Sequence, residues 1–444
     1  MQKKWLWALP PLVVIALIIL LLIERPLPDH LAARIDGEDI PVDALDVFVA
    51  AARHRQQDAN RETVFKALLE NRLLANWFRQ QPSKDITSRV GYDRQTQLEQ
   101  QLFRLIRSAY SERLQETMNK REIRNSLDFL VTPLAFDRES LAPVLKLQQQ
   151  LYSSMTPEQQ MQAQQLVIAR YRFHHRQPEQ QLTLWDLYRR QNVQLKVQMH
   201  NLNLEFIREA IRQQLTTAFV LDWFAQHSGL SEQSRKAIQR CVEDALIREA
   251  GLQQMGLLQD IHDDNPGLRD KAKQISADEI ADYYQSHRQE FTRVERVHAY
   301  HIRLQSQQAA DRVYQEIVSG LPFTDAVSRY SVAPDKARGG ALGWIDRRSR
   351  ADHWSKALAF VQTPAQVSRP FRSPQGGDEI YWEILLVDQR ETGFQPVDSE
   401  SVHYRASHAI AREKLQQQYY QLLNEIRDTT DVRINRRQLP CESC

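Results

Sequence analysis

YSVAPDKARGGALGW, residues 330–344, is the stretch that decides how the chain folds. Gly339 and Gly340 are adjacent and Gly343 follows, with Leu342 and Trp344 held between and after them. Such a turn can cradle a phosphate, shape a pocket or join two elements. A phosphate loop needs Gly-x-x-x-x-Gly-Lys-Ser/Thr between a strand and a helix. A dinucleotide fingerprint needs Gly-x-Gly-x-x-Gly after a first strand. Neither order occurs here, and the segment follows a helix, so both phosphate readings fail.

The flanks give the turn its setting. VHAYHIRL (297–304) alternates as a strand, QAADRVYQEIVSG (308–320) reads as a helix closed by Gly320, and PFTDAVSRYS (322–331) as a second, short helix. After the turn, HWSKALAFV (353–361) is a third helix, and QVSRPF (366–371) and YWEILLVD (381–388) are strands. A long helix is expected from Asp398 to about Arg427, with VRINRR (432–437) as a last strand.

Upstream the pattern is helical. Asp36-Gly37-Glu38 predicts a tight turn between two short strands, and Pro41 opens a helix. Val64, Leu68, Leu69, Leu73, Leu74 and Trp77 recur at helical spacing. Residues 95–120, 140–176, 182–224 and 231–259 are expected to be helical, with Thr156-Pro157 as a capped start. Residues 125–136 read as a loop or short extended piece. Asp263 to Gly267 forms a break, and Ser276 to Glu279 starts a helix running to about Gln289.

At 444 residues, with 42% apolar content, two or three domains are expected. Charged residues make up 26% but the net charge is only +2, and the two signs are mixed, so no nucleic-acid partner is expected. Trp5 to Ile23 is an apolar run broken by Pro10 and Pro11, preceded by Lys3 and Lys4 and followed by Glu24 and Arg25. It reads as an uncleaved transmembrane anchor with the N-terminus in the cytoplasm. The rival is a cleaved signal peptide, for which the stretch from His30 to Ala33 is a poor site. The three cysteines are Cys241, Cys441 and Cys444; the last two form Cys-x-x-Cys, read as a small disulfide, with metal or redox use as rivals. His174-His175 and the scattered histidines lack metal spacing, and no cofactor or metal is expected.

ISADEIADYYQSHRQEF (275–291), VHAYHIRL, GLPFTDAVSRYS (320–331), RGGALGW (338–344) and VSRPFRSP (367–374) together resemble the parvulin-type (PpiC-like) peptidyl-prolyl cis-trans isomerases. The Asp-Gly-Glu turn and LLENRLL (68–74) resemble the chaperone portion of SurA/PpiD-like, membrane-anchored periplasmic foldases. Residues 95–260 match only in helical character. The resemblance implies that the glycine turn lines a proline pocket, with His301 and Ser373 as catalytic residues and Leu342, Trp354 and Trp344 binding substrate. The chain departs from that pattern in three places. Ala333 stands where Cys or Asp is usual. The second histidine is missing, with Asp378 or Trp382 nearest. Arg350 replaces an apolar pocket residue.

The fold class expected is mainly α with an α+β parvulin-like module. It comprises an N-terminal transmembrane helix, a helical SurA-like chaperone region and a small antiparallel-sheet isomerase domain. The expected segments are 1–24 (cytoplasmic stub and anchor), 30–290 (chaperone-like), 294–392 (isomerase) and 393–444 (a C-terminal helix packing on the chaperone region, with the Cys-x-x-Cys tail). The implied function is that of a foldase in the bacterial inner membrane, single-pass, with its bulk in the periplasm. It would act on X–Pro bonds of exported or unfolded polypeptides. The alternative is a catalytically inactive chaperone or scaffold on the same fold. The insertion 95–260 is either a client cradle or a spacer.

Overall fold

The computed structural model describes residues 26–54, 56–81, 91–134, 136–146, 154–258, 265–349, 353–374 and 379–439. The fold class needs one correction. The architecture of the described residues is helical with small antiparallel sheets, and no helix among them is long and apolar enough to cross a membrane. The apolar run 5–23 lies outside the described residues, as do Cys441, Cys444, Arg350 and Asp378.

Among the described residues nine strands are interspersed with the helices: β1 (Leu31–Ile35), β2 (Glu38–Pro41), β3 (Val167–Tyr171), β4 (Gln180–Thr183), β5 (Thr292–Leu304), β6 (Ala341–Asp346), β7 (Phe371–Arg372), β8 (Trp382–Phe394) and β9 (Val432–Ile434). They form three antiparallel sheets, ordered β2-β1-β9, β3-β4 and β6-β5-β8-β7. The chain divides into two compact units, residues 1–267 with 415–444, and residues 268–414.

In the first unit, Asp36 (φ 47°) and Gly37 (φ 80°) turn β1 into β2, the positive pair that a two-residue hairpin requires. β9 then pairs with β1, setting Ala33 opposite Ile434, so the end of the chain completes a sheet begun near its start. The helix Arg61–Gln80 buries Phe65, Leu68, Leu69, Leu73 and Leu74 against Ile35, Ile40, Leu423 and Ile426. Arg72 lies on the same buried stripe, 2% exposed. It donates to Asp244 and, at 2.6 Å, to Glu38, while Arg79 holds the other Asp244 oxygen at 2.6 Å.

The expected helix over 140–176 is interrupted. It forms Arg138–Leu145 and Pro157–Gln165, then gives way to the hairpin β3–β4, which buries Ile168, Ala169 and Leu182. Val167, Ile168 and Tyr171 favour a pleated surface, and their strand partner starts nine residues further on, beyond the reach of a local periodicity test.

In the second unit, β5 and β8 pair along nearly their full length. Alternation gives the sheet two apolar faces. Ile302, Leu304 and Ile384 pack on the helices Gln307–Val318 and Phe323–Tyr330 through Ala310, Val313, Phe323 and Val327. On the other face Val297, Ala299, Leu385 and Val387 meet Ile345, Ala359 and Phe360, with Leu342 and Phe371 at the margin.

Candidate functional site

His301 sits on the second face, opposite Leu385 and two positions after Ala299. It is 4% exposed, yet both ring nitrogens have partners. Nδ1 lies 3.1 Å from Glu383 Oε1, and Nε2 lies 2.9 Å from Asp335 Oδ2. Both partners are carboxyl groups, and an ionised carboxylate only accepts, so the two contacts favour the charged, doubly protonated ring. Burial works against that charge. The hydrogen bond and charge of Glu383, with those of Asp335, outweigh it and hold the pKa above the ordinary histidine value. Glu383 is itself fully buried and also accepts from Arg303 Nε at 3.1 Å, while its Oε2 has no partner.

The glycine turn is built around this histidine. After a 3₁₀ turn at Lys336–Arg338, Gly339 (φ 71°) and Gly340 (φ 66°) both take left-handed backbone. His301 N donates to the Gly340 carbonyl at 2.8 Å, and Gly340 N to the Asp335 carbonyl at 3.1 Å. A Cβ on Gly340 would stand 2.2 Å from the His301 carbonyl oxygen. Backbone and side chain therefore tie the turn to β5 twice, once through Gly340 and once through Asp335. Ser331 adds a third tie, its Oγ accepting from Arg303 N at 3.3 Å.

An aromatic wall adjoins the charged group. Trp354, first residue of the helix Trp354–Ala359, meets Phe371 edge-on at 5.1 Å and Tyr381 at 6.0 Å. The Trp354 indole N–H donates to the Tyr381 hydroxyl at 3.4 Å. The Arg303 guanidinium covers the Tyr381 ring at 4.0 Å, which links the wall to Glu383 and His301.

The expected residues are distributed unevenly around this arrangement. His301 is at its centre, Trp354 forms the wall, and Leu342 packs on the core that Phe371 also borders. Ser373 is engaged with the Tyr381 backbone. Its Oγ accepts from Tyr381 N at 3.2 Å, and its own N donates to the Tyr381 carbonyl at 2.8 Å, so it fixes Tyr381 in place. Trp344 stands apart. It lies opposite His298, 40% exposed, with its ring 5.3 Å from His298 and 4.5 Å from the Arg296 guanidinium. Alternation sends it to the other side of the sheet from Ile345.

Four members were not anticipated: Asp335, Glu383, Arg303 and Tyr381. Asp335 lies two residues beyond Ala333, where a carboxylate was sought. Glu383 directly follows Trp382, one of the two positions considered for the second histidine, and its step of two from Leu385 and Val387 puts it on the face of His301. No group of three or more metal-binding side chains occurs among the described residues. The arrangement holds no activated nucleophile. It offers a buried charged trio beside an apolar aromatic wall, and within the trio Asp335 is the most accessible, its side chain 13% exposed against 5% for His301.

Residues 301–388 match the rotamase family, described as the PPIC-type PPIASE domain. The chain is 28% identical over 148 residues to the chaperone SurA of Chromobacterium violaceum, covering 31% of this chain and 33% of that protein. It is 32% identical over 124 residues to the chaperone SurA of Ralstonia nicotianae, covering 28% and 23%. The matches thus span a third or less of these relatives. Among solved structures, the parvulin domain of PpiD from E. coli aligns at 20% identity over 22% of this chain and 91% of that one, with a TM-score of 0.19. One of the SurA-like chaperones of Campylobacter jejuni, the pair PEB4 and Cj1289, aligns at 18% identity over 54% and 87%, with a TM-score of 0.22. At those scores neither structure bears on the site.

Proposed function

We propose that the chain, which carries a PPIC-type PPIase domain over residues 301–388, is a periplasmic foldase that binds unfolded or exported polypeptides and speeds rotation about their X–Pro bonds. The observation that carries the reading is the charged trio of His301, Asp335 and Glu383 set beside the Trp354–Phe371–Tyr381 wall. Similarity to proteins named as chaperones supports the client-binding half.

The chemistry asks for little. Rotation about a peptide bond meets a barrier of about 18–20 kcal/mol, and no bond to the substrate breaks. A site need only bind the twisted imide better than the planar one. The wall and Leu342 offer an apolar seat for the proline ring. A planar imide carries extra negative charge on its oxygen through resonance, and a twisted one carries less. A carboxylate facing that oxygen therefore disfavours the planar form. Asp335 fills this role in the proposal, with His301 positioning it and Glu383 positioning His301.

A second reading has its own observation. Both nitrogens of His301 are already engaged, one of them by the buried Glu383, which suits a fold kept for binding alone. The test is refolding of a client limited by proline isomerisation, run beside suppression of its aggregation. Acceleration that is lost in His301→Ala supports the enzyme. Suppressed aggregation without acceleration leaves the binding module. Neither effect would overturn both readings.

A further inference from the structure

The first unit holds a pocket of its own. In the helix Val42–Arg53, the residues Asp46, Val49, Ala50 and Arg53 recur at three- and four-residue steps, so they share one face. With Arg61, the first residue of the helix Arg61–Gln80, they line a cavity of about 400 Å³, which is the size of a small-ligand site. Its charges do not balance. Arg61 holds both oxygens of Asp46, at 2.6 and 2.7 Å. Arg53 has no such partner. Its Nε donates to the Ala59 carbonyl at 3.0 Å, which fixes the plane of the guanidinium, and among the described residues no carboxylate pairs with its two outer nitrogens. One uncompensated positive charge therefore stands beside an apolar floor, the buried Val49 and the half-buried Ala50.

We propose that this pocket captures the carboxylate end of an unfolded polypeptide, with Arg53 gripping the terminal carboxylate and Val49 and Ala50 seating the last side chain. The inference rests on the client-binding half of the reading above and makes no use of X–Pro rotation. A guanidinium whose fork is free and held in one plane pairs with a carboxylate through two parallel hydrogen bonds. Asp46 alone would repel an anion, but Arg61 cancels its charge. The floor is built from two short side chains, so it takes a short aliphatic group in preference to a ring. Arg53 is exposed, so the pocket opens to solvent on its side. A free small acid is normally enclosed by its site, whereas a chain end needs an open mouth through which the rest of the chain leaves.

The experiment titrates the full chain with one dye-labelled, unstructured peptide ending in valine, prepared as the free acid and as the C-terminal amide, and reads fluorescence anisotropy at low and high salt. Suppression of aggregation of an unfolded client is measured in parallel. The acid binds roughly fivefold tighter than the amide, and the gap closes at high salt. Arg53→Gln removes the gap, and Arg53→Lys, which keeps the charge without the fork, restores part of it. Should Arg53→Gln loosen the fold, Ala50→Glu removes the gap while leaving the Arg53 bond to Ala59 in place. N-acetylvaline displaces the acid peptide and butyrate does not. Equal affinities for acid and amide, or a gap that survives both Arg53→Gln and Ala50→Glu, overturn the proposal and leave client binding standing. Displacement by butyrate as effective as by N-acetylvaline overturns the chain end and assigns the pocket to small acids. Preference for the acid without suppressed aggregation overturns the client-binding reading and leaves the pocket. Binding of neither peptide, with aggregation unsuppressed, overturns both.

Discussion

Gly339 and Gly340 are neighbours with nearly the same backbone angles, and the structure predicts very different costs for giving each a methyl group. Both have φ near +70°, so alanine at either costs about 1–2 kcal/mol for left-handed backbone. A methyl at Gly339 meets nothing within 4 Å. A methyl at Gly340 would stand 2.2 Å from the His301 carbonyl oxygen and 3.3 Å from Val327. Relieving that overlap means moving β5 or the turn, a further ~1–3 kcal/mol by analogy with overpacked cores. Gly340→Ala should therefore destabilise by about 2–5 kcal/mol and Gly339→Ala by about 1–2. The assay is amide hydrogen exchange, read by mass spectrometry on peptides spanning Val297 to Leu304, because His301 N donates to Gly340. Each ~1.4 kcal/mol of lost local stability raises exchange about tenfold. Equal effects for the two variants, or a larger one for Gly339→Ala, would refute the claim that the turn is clamped onto His301.

Three other perturbations test separate parts of the structure. Because the carboxylates raise the folded pKa of His301, its stabilising contribution is complete below the unfolded value of about 6.5 and fades as pH rises through the folded pKa. Urea midpoints across that range should fall for the native chain relative to His301→Gln; parallel curves would contradict this. In the first unit, Arg72→Met should cost about 1–3 kcal/mol, since it removes one partner of the buried Asp244 and leaves Arg79 on the other oxygen, and adding Asp244→Asn should cost less than that change alone, since the pair is coupled; simple additivity in the cycle would count against it. Burial pushes the Cys241 thiol up to about 12, so mapped alkylation at pH 8 should leave Cys241 unmodified until the chain is denatured.

The sequence made some of this legible and hid the rest, for identifiable reasons. Local chemistry was readable. Thr156 caps a helix with Pro157 at its first position, and Ser276 forms a capping box with Glu279. The Asp36-Gly37 turn and the apolar stripe of the helix Arg61–Gln80 follow from residue type and period. What depends on distant partners was not readable. Arg72 looks like a surface residue until Asp244, far along the chain, appears beside it. The hairpin β3–β4 was merged into helix because its partner strand decides it. In the site, His301 stood out through its resemblance. Glu383 and Asp335 were hidden because their role comes from the face they share with His301. The resemblance grouped Trp344 with the pocket, whereas strand alternation sends it to the face opposite Ile345.

The most direct measurement is exchange NMR on a short X–Pro peptide at equilibrium, with and without catalytic amounts of the full chain, beside an Asp335→Asn variant. The account predicts cis–trans exchange well above the uncatalysed rate with the native chain, and a large loss with Asp335→Asn while the peptide still binds. An uncatalysed rate with the native chain, or full catalysis by Asp335→Asn, would contradict it.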